Sequence, residues 1–149
     1  MRTAADILKG KPPVFNVIDA DAKVIEALHV MSSVNLSYLV VKKNETFQGI
    51  FSERDYSRNV ILKGLHSDTA AVKDVMSTSL PNIGTSETVE NCMKLLNSHR
   101  TRYLIVFDEQ EFIGVITIND ILREVIANRE QVFDEKVVKE TIAMEEKVY

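Results

Sequence analysis

The chain has 149 residues, a formal net charge of −4, 45% hydrophobic and 27% charged residues, and one cysteine, Cys92. This composition excludes collagen, coiled-coil rods and disordered chains, and no apolar run approaches the roughly 20 residues of a membrane span. A single cysteine excludes an internal disulfide framework and a cysteine-cluster zinc site. Because the N-terminus lacks an apolar signal core and the charge balance disfavours nucleic acid, we expect a cytoplasmic protein that binds neither membrane nor nucleic acid.

A duplication organises the chain. A shift of 65 residues places positions 16–61 over positions 81–126 without a gap, and twelve of these 46 aligned positions are identical. Such a period is too long for a solenoid unit. We therefore predict a first repeat over 1–64, a second repeat over 65–128 and a C-terminal amphipathic helix over 129–149.

The sequence pattern of each repeat predicts the element order β-α-β-β-α. In the first repeat, an extended piece over 15–18 precedes a helix whose apolar residues recur at 3–4 spacing: Val24, Ala27, Leu28 and Met31. Asp21 and its counterpart Ser86 are the predicted N-caps of this helix in the two repeats. Strands over 38–42 and 47–51 follow, joined by a short turn, and a second helix begins at Ser52 or Thr117.

The expected fold class is α/β. A repeat of about 60 residues buries too little surface to be stable alone, so we expect the two copies to pack about a pseudo-two-fold axis. The C-terminal helix adds an apolar stripe made of Phe133, Val137, Val138, Ile142, Met144 and Val148. This stripe either packs on the core of its own chain or forms a dimer contact, and its spacing does not distinguish the two.

The pattern Gly-x-x-Ser/Thr-x-x-Asp closes both hairpins. Its members are Gly49, Ser52 and Asp55 in the first repeat, and Gly114, Thr117 and Asp120 in the second. The simplest interpretation is a helix capping box, in which hydroxyl and carboxylate satisfy the first amides of the helix. The same groups also suit a nucleotide, because a helix N-terminus attracts phosphate and a carboxylate accepts both hydroxyls of a ribose diol.

Basic residues lie near both motifs. We interpret Arg54, inside the first motif, and Arg102, just before the second hairpin, as candidate phosphate contacts. Arg58 and Arg123 each follow a motif carboxylate by three residues, so we interpret them as ion pairs on the helix surface.

Together these residues resemble the cystathionine-β-synthase (CBS) domain, present here as the tandem pair called a Bateman module. The resemblance covers about residues 1–128 and is closest to the small stand-alone bacterial type, whose Ser-Glu-Arg-Asp-Tyr stretch stands here at 52–56. The openings of the repeats at 7–11 and 72–76, and the stretch 90–93, also look like this family.

The resemblance implies a non-catalytic regulatory module that binds AMP, ADP, ATP, NAD or S-adenosylmethionine in the clefts between the repeats, pairs as a homodimer and acts on an unidentified regulated protein. It assigns phosphate and ribose to the hydroxyl and carboxylate of each motif, and adenine to the backbone of the first extended pieces. With the residues argued above, the predicted nucleotide-binding set is Asn16, Val17, Ile18, Tyr38, Ser52, Arg54, Asp55, Asn82, Ile83, Arg102, Tyr103, Thr117 and Asp120.

Three departures from the family pattern bear on how many sites are open. Tyr38 stands at a usually small position, Tyr103-Leu104-Ile105 replaces the usual His-Leu-Pro, and Asn119 replaces a small residue. The two tyrosines either stack on a base or fill a pocket.

Two other classes of function remain open: a structural or interaction protein with vestigial sites, and a small enzyme. Catalysis and metal binding have little support, because His29, His66 and His99 lack ligand spacing. Cys92 aligns with Ala27 on an apolar helix face, which is typical of a buried, inert thiol.

Overall fold

The computed structural model describes residues 1–128 and 134–146, and these form two compact units. One unit is Val14–Ser79; the other combines Met1–Pro13 with the chain from Leu80 onward. We call them the Asp55 unit and the Asp120 unit, after the motif carboxylate in each. The segment 1–13, which opens the first repeat, thus packs with the second, and 65–79 packs with the first, so the compact units are offset from the sequence repeats 1–64 and 65–128.

The elements follow one another in the predicted alternation. In chain order they are α1 (Ala4–Lys9), β1 (Val17–Asp19), α2 (Val24–Val34), β2 (Tyr38–Lys43), β3 (Thr46–Ser52), α3 (Glu53–Asp55), α4 (Val72–Val75), β4 (Asn82–Gly84), α5 (Val89–His99), β5 (Tyr103–Asp108), β6 (Glu111–Thr117), α6 (Ile118–Ala127) and α7 (Glu135–Glu146). A π-helical segment, Tyr56–Ile61, continues α3, whereas the matching α6 is a regular α-helix. The second helix is therefore the element in which the two copies differ.

Each unit contains one three-stranded sheet of the same topology. The strand orders are β1-β2-β3 and β4-β5-β6, with the first pair parallel and the second antiparallel in both sheets. The register is also the same, since Tyr38 pairs with Ser52 and Tyr103 pairs with Thr117. The duplication in sequence is thus a duplication of backbone structure, and the predicted α/β fold with the order β-α-β-β-α is confirmed.

The predicted helix caps Asp21 and Ser86 are wrong. α2 begins after Lys23, and α5 begins after Thr88, whose hydroxyl accepts a hydrogen bond from the amide of Asn91 at 3.1 Å. Asp21 lies in the preceding turn, where its carboxylate pairs with lysine side chains instead. Both helices begin at a buried valine, so burial of the apolar face sets the helix start.

Each unit has its own hydrophobic core. The Asp55 unit packs α2, α4 and the inner faces of β2 and β3, with buried residues that include Val24, Met31, Leu39, Phe51 and Val72. The Asp120 unit packs α1, α5, α6 and α7 on its sheet, with buried residues that include Ile7, Leu96, Leu104, Ile121 and Met144.

The C-terminal helix packs on the core of its own unit. Val137 and Met144 are buried and Val138 packs against the same cluster, whereas Ile142 is 45% exposed. This supports the first interpretation of the apolar stripe. Two members of the stripe, Phe133 and Val148, lie outside the described residues.

Within residues 1–128 and 134–146, we find no helix with the length and apolar character that a bilayer crossing requires.

Candidate functional site

The Ser/Thr-x-x-Asp pattern forms capping boxes, as its simplest interpretation predicts. In the first motif the backbone N–H of Ser52 donates to Oδ2 of Asp55 at 2.9 Å, and the amide of Asp55 donates back to Oγ of Ser52 at 3.2 Å. Thr117 and Asp120 make the same two bonds at 2.9 and 3.2 Å. A third box, Thr3 with Asp6, opens α1. Capping therefore explains the spacing, and the surroundings of each carboxylate decide what else it does.

The carboxylate of Asp55 is enclosed. Asp55 is 7% exposed, and the hydroxyl of Ser77 donates to its Oδ1 at 2.7 Å. Oδ2 accepts from both the N–H and the hydroxyl of Ser52. Burial raises the pKa of Asp55 above its ordinary value, against the opposing effect of these hydrogen bonds. Both oxygens of this carboxylate thus already accept hydrogen bonds from neutral groups of the same unit.

The segment Met76–Ser77 holds this enclosure in place. Ser77 forms a bridge with Ile50 at the outer edge of β3, through two backbone hydrogen bonds of 2.8 and 3.0 Å. The bridge needs a glycine at position 49, because a Cβ there would lie 2.5 Å from the carbonyl oxygen of Ser77. The Asp55 motif is therefore covered by backbone, which a ligand does not easily displace.

The carboxylate of Asp120 is also buried, but it forms ion pairs with two cationic side chains. Its side chain is 3% exposed, and the ammonium of Lys11 donates to Oδ2 at 2.7 Å. Arg123 donates to Oδ1 at 2.6 Å across the surface of α6. Lys11 also donates to the carbonyl oxygen of Val115 at 2.9 Å. The second carboxylate is thus neutralised by side chains that are themselves in contact with solvent.

An open pocket borders Asp120. Its volume is about 320 Å³, and α1 and α6 supply its walls. Three basic and three acidic side chains line it: Arg2, Lys11, Arg123, Asp6, Asp120 and Glu124. The volume falls at the lower end of the range typical of small-molecule sites, and the carboxylate lies in its wall.

Lys11 and Ser77 donate hydrogen bonds to equivalent acceptors in the two units. The 65-residue shift places Val115 over Ile50 and Asp120 over Asp55. Ser77 donates its N–H to the carbonyl oxygen of Ile50 and its hydroxyl to Asp55. In the other unit, the ammonium of Lys11 donates to both equivalent acceptors, the carbonyl oxygen of Val115 and the carboxylate of Asp120. The first motif is closed by a backbone segment and the second by one flexible side chain.

The tyrosines begin β2 and β5, directly opposite the motif hydroxyls. Tyr38 and Tyr103 are half-buried, and each pairs in register with the Ser or Thr of its own motif. Side chains at such paired positions lie about 5 Å apart. Asn16, which is buried, donates to the carbonyl oxygen of Tyr38 at 3.1 Å and so joins the first group.

The first-strand residues are placed less uniformly. Ile83 is buried in the core of the Asp120 unit, and Asn82 is exposed beside it. Val17 and Ile18 line a groove of about 430 Å³ that extends toward the hairpin turn at Asn44. Ser52 and Asp55 are not among the residues described as lining that groove, so the predicted adenine and ribose contacts of the first repeat do not share it.

The arginines differ in their partners. Arg102 forms an ion pair with Glu145 of α7, and Arg54 is half-buried on α3. The interpretation of Arg123 as an i,i+3 ion pair is confirmed. Arg58 is exposed one turn beyond Asp55, where its charge acts on that carboxylate through space. The phosphate roles of Arg54 and Arg102 stay predictions.

The structure gives no support for a nucleophile or a metal ligand set in the part of the chain that it describes. Cys92 is fully buried, and burial raises the pKa of its thiol to about 12. His29, His66 and His99 are exposed and distant in sequence. Within residues 1–128 and 134–146 no group of three His, Cys, Asp or Glu side chains is placed to hold a metal ion.

Sequence reasoning missed Lys11 and Ser77. Both lie outside the gapless alignment of 16–61 with 81–126, although the same shift places Met76 over Lys11 and Ser77 over Pro12. Extending the comparison to these segments would have shown that the two repeats differ there, with Met76 opposite Lys11 and Pro12 opposite Ser77.

Known proteins share the sequence pattern of this chain. The CBS domain family matches the chain twice, over residues 4–61 and 72–127. The chain is 32% identical over 111 residues to the mitochondrial CBS domain-containing protein CBSX3 of Arabidopsis thaliana, covering 71% of this chain and 54% of that protein. It thus spans a little over half the length of that relative.

Solved structures share the fold. A CBS-domain protein from Burkholderia ambifaria superposes with a TM-score of 0.78 at 32% identity, covering 89% of this chain and 99% of that one. The structure of CBSX2 in complex with AMP superposes with a TM-score of 0.68 at 24% identity, covering 87% and 99% of the two chains. The duplicated sheet, the repeated capping box and these matches lead to one conclusion: the chain belongs to the CBS domain family and carries two copies of the domain, the arrangement of a Bateman module.

Proposed function

We propose that this protein is a non-catalytic regulatory module that binds an adenosyl nucleotide, and that its principal site is built around Asp120. AMP, ADP, ATP and NAD are the candidate ligands. The observation that carries the proposal is the buried Asp120 carboxylate, which lies in the wall of an open pocket and is neutralised by two partly exposed cations, Lys11 and Arg123. A carboxylate so placed is suited to a ribose diol, and basic side chains beside it are suited to phosphate.

The arrangement of the second repeat supports this assignment. Tyr103 lies opposite Thr117, the hydroxyl of which caps α6 three residues before Asp120. An aromatic ring and a helix N-terminus thus lie in the same unit as the carboxylate, although Asp120 alone of these three residues lines the pocket. The complex of CBSX2 with AMP supports an adenosyl ligand for a protein of this fold.

Thermal shift and calorimetry with AMP, ADP, ATP, NAD and S-adenosylmethionine test the proposal. A ligand at 100 times its dissociation constant stabilises the folded state by about 2.7 kcal/mol, which corresponds to a rise of several degrees in Tm. Guanosine and ribose 5-phosphate are the matched control ligands. If no adenosyl compound at millimolar concentration raises Tm or gives heat, the proposal fails.

A second candidate function is a structural or interaction protein with vestigial sites. The enclosure of Asp55 by Ser52 and Ser77 favours it for the first repeat. On this view both carboxylates serve only as helix caps, and substitution of Asp120 lowers stability without changing the response to any nucleotide.

We further propose that the protein pairs as a homodimer and transmits ligand binding to another protein. A ligand shifts such a system only through different affinities for its two states. Exposed apolar residues near the ends of the motif helices, Ile61 at 53% and Ile126 at 62% exposed, lie at matching positions of the two repeats and are available for self-association. Sedimentation equilibrium at tens of micromolar, with and without AMP, tests this; a species of 16.9 kDa in both conditions would contradict it.

A further inference from the structure

We propose that the ammonium of Lys11 competes with a ligand for the Asp120 carboxylate, so that a nucleotide must displace Lys11 in order to bind. The inference rests on the proposed function and specifies how that same site is regulated. A ribose diol needs both carboxylate oxygens as acceptors. Oδ2 of Asp120 already accepts from the N–H of Thr117 and from Lys11, and Oδ1 accepts from Arg123.

Lys11 is the stronger of the two competing cations. The side chain of Arg123 is 71% exposed, and ion pairs at that exposure contribute little to stability. The side chain of Lys11 is only 25% exposed, and its ammonium also binds the carbonyl oxygen of Val115. Two short charge-assisted bonds in a partly buried setting hold Lys11 against the carboxylate.

The contact between Lys11 and Asp120 can nevertheless break without backbone movement, whereas the cover over Asp55 cannot be removed in this way. The backbone that covers Asp55 is fixed by two hydrogen bonds between Ser77 and Ile50, so this covering segment moves away only if the strand edge opens. Lys11 reaches Asp120 on a flexible four-carbon stem, and rotation about that stem frees the carboxylate without moving the backbone.

Lys11 also affects the relative affinities of the site for nucleosides and nucleotides. A nucleoside that takes the Asp120 oxygens leaves the ammonium of Lys11 without its anionic partner. A nucleotide brings a phosphate that replaces this partner, so its binding is opposed less. Lys11 therefore favours phosphorylated ligands over the corresponding nucleosides at this site.

The experiment compares AMP and adenosine binding by calorimetry in the wild-type protein and in Lys11→Met. We expect adenosine to bind about three- to tenfold more tightly to the variant, and the preference for AMP over adenosine to fall by at least about threefold. Lys11→Gln, which retains polarity, should change the preference in the same direction. Lys9→Met, an exposed lysine on the same segment, is the control and should leave both affinities unchanged.

The outcomes separate the two proposals. If AMP binds and the AMP-to-adenosine preference is the same in wild type, Lys11→Met and Lys11→Gln, the competitor role is overturned and the proposed function stands. Weaker adenosine binding in both variants overturns it as well. If wild type and both variants bind neither compound, the competitor role is overturned, and the proposed function fails as well only if ADP, ATP and NAD also give no binding.

Discussion

The hydroxyl of Ser77 donates a 2.7 Å hydrogen bond to Oδ1 of Asp55, 22 residues earlier in the chain. Ser77 follows α4, and its backbone lies along the outer edge of β3. A residue of the second sequence repeat, 65–128, therefore closes the carboxylate of the first repeat, which makes the two motifs unequal despite their common sequence.

Loss of this contact should lower stability. We expect Ser77→Ala to reduce the free energy of unfolding by about 1.5–3 kcal/mol, because a hydrogen bond to a buried carboxylate is lost. Ser79→Ala, at an exposed position two residues on, is the control and should change it by less than about 0.5 kcal/mol. Urea unfolding of both variants measures the difference, and equal stabilities would contradict the role of Ser77.

The matched glycines should tolerate alanine differently. In Gly49→Ala the new Cβ would lie 2.5 Å from a backbone oxygen of Ser77, so the covering segment must move, at a cost of about 1–3 kcal/mol. In Gly114→Ala the nearest atom is Cδ2 of Leu8 at 3.0 Å, the end of a side chain that can rotate away. We expect Gly114→Ala to be the milder substitution in thermal unfolding; the reverse order would show that Ser77 does not cover β3 in solution.

The free energy of unfolding should depend on pH in part through the titration of Asp55. Burial raises the pKa of its carboxyl in the folded state above the ordinary 3.8, so the folded protein binds this proton more tightly than the unfolded chain. Its contribution to stability is complete below pH 3.8 and is lost as pH rises through the folded-state pKa. The stability of wild type relative to Asp55→Asn should therefore fall as pH rises above the ordinary pKa of 3.8.

A capping carboxylate with the opposite shift is the control for that measurement. Hydrogen bonds from Thr3 lower the pKa of Asp6, so the stability of wild type relative to Asp6→Asn should rise with pH over the acid range. Urea unfolding at a series of pH values gives both differences. If the difference for Asp55 also rises with pH, burial does not dominate at Asp55.

Nucleotide binding should depend on Asp120 far more than on Asp55. We expect Asp120→Ala to weaken AMP binding by roughly 10- to 150-fold, the effect of losing a charged acceptor, and Asp55→Ala to weaken it less. Loss of the cap costs either variant up to about 1 kcal/mol, and each substitution also removes an acceptor, from Ser77 in Asp55→Ala and from Lys11 in Asp120→Ala. Calorimetry and urea unfolding separate these effects. Unchanged affinity with lowered stability in Asp120→Ala would leave only a capping box.

The C-terminal helix should stabilise its own unit through Met144. Met144 is 2% exposed within the core, so Met144→Ala should cost about 2–5 kcal/mol. Ile142, 45% exposed on the same helix, is the control and should cost less than about 1 kcal/mol when replaced by alanine. If the two substitutions have equal effects in thermal unfolding, α7 does not pack as described.

The local structure of each repeat could be predicted from the sequence. The short apolar runs that begin at Tyr38 and Tyr103, and the 3–4 spacing after Val24, depend on neighbours a few residues apart, and such patterns indicate strands and helices directly. The duplication ensured that one prediction applied twice. The Ser/Thr-x-x-Asp spacing likewise specified capping boxes, because all of their bonds lie within one helical turn.

The state of each site was decided by tertiary contacts. Lys11 reaches Asp120 across 109 residues of sequence, and Arg102 reaches Glu145 across 43. No local pattern reports such pairs, because they depend on which segments pack together, and here the chain before Val14 packs with the second repeat. The sequence alone therefore determined that there are two like motifs, whereas only the tertiary structure decided that one is closed by the hydroxyl of Ser77, on a segment held by backbone hydrogen bonds, and the other by the ammonium of Lys11.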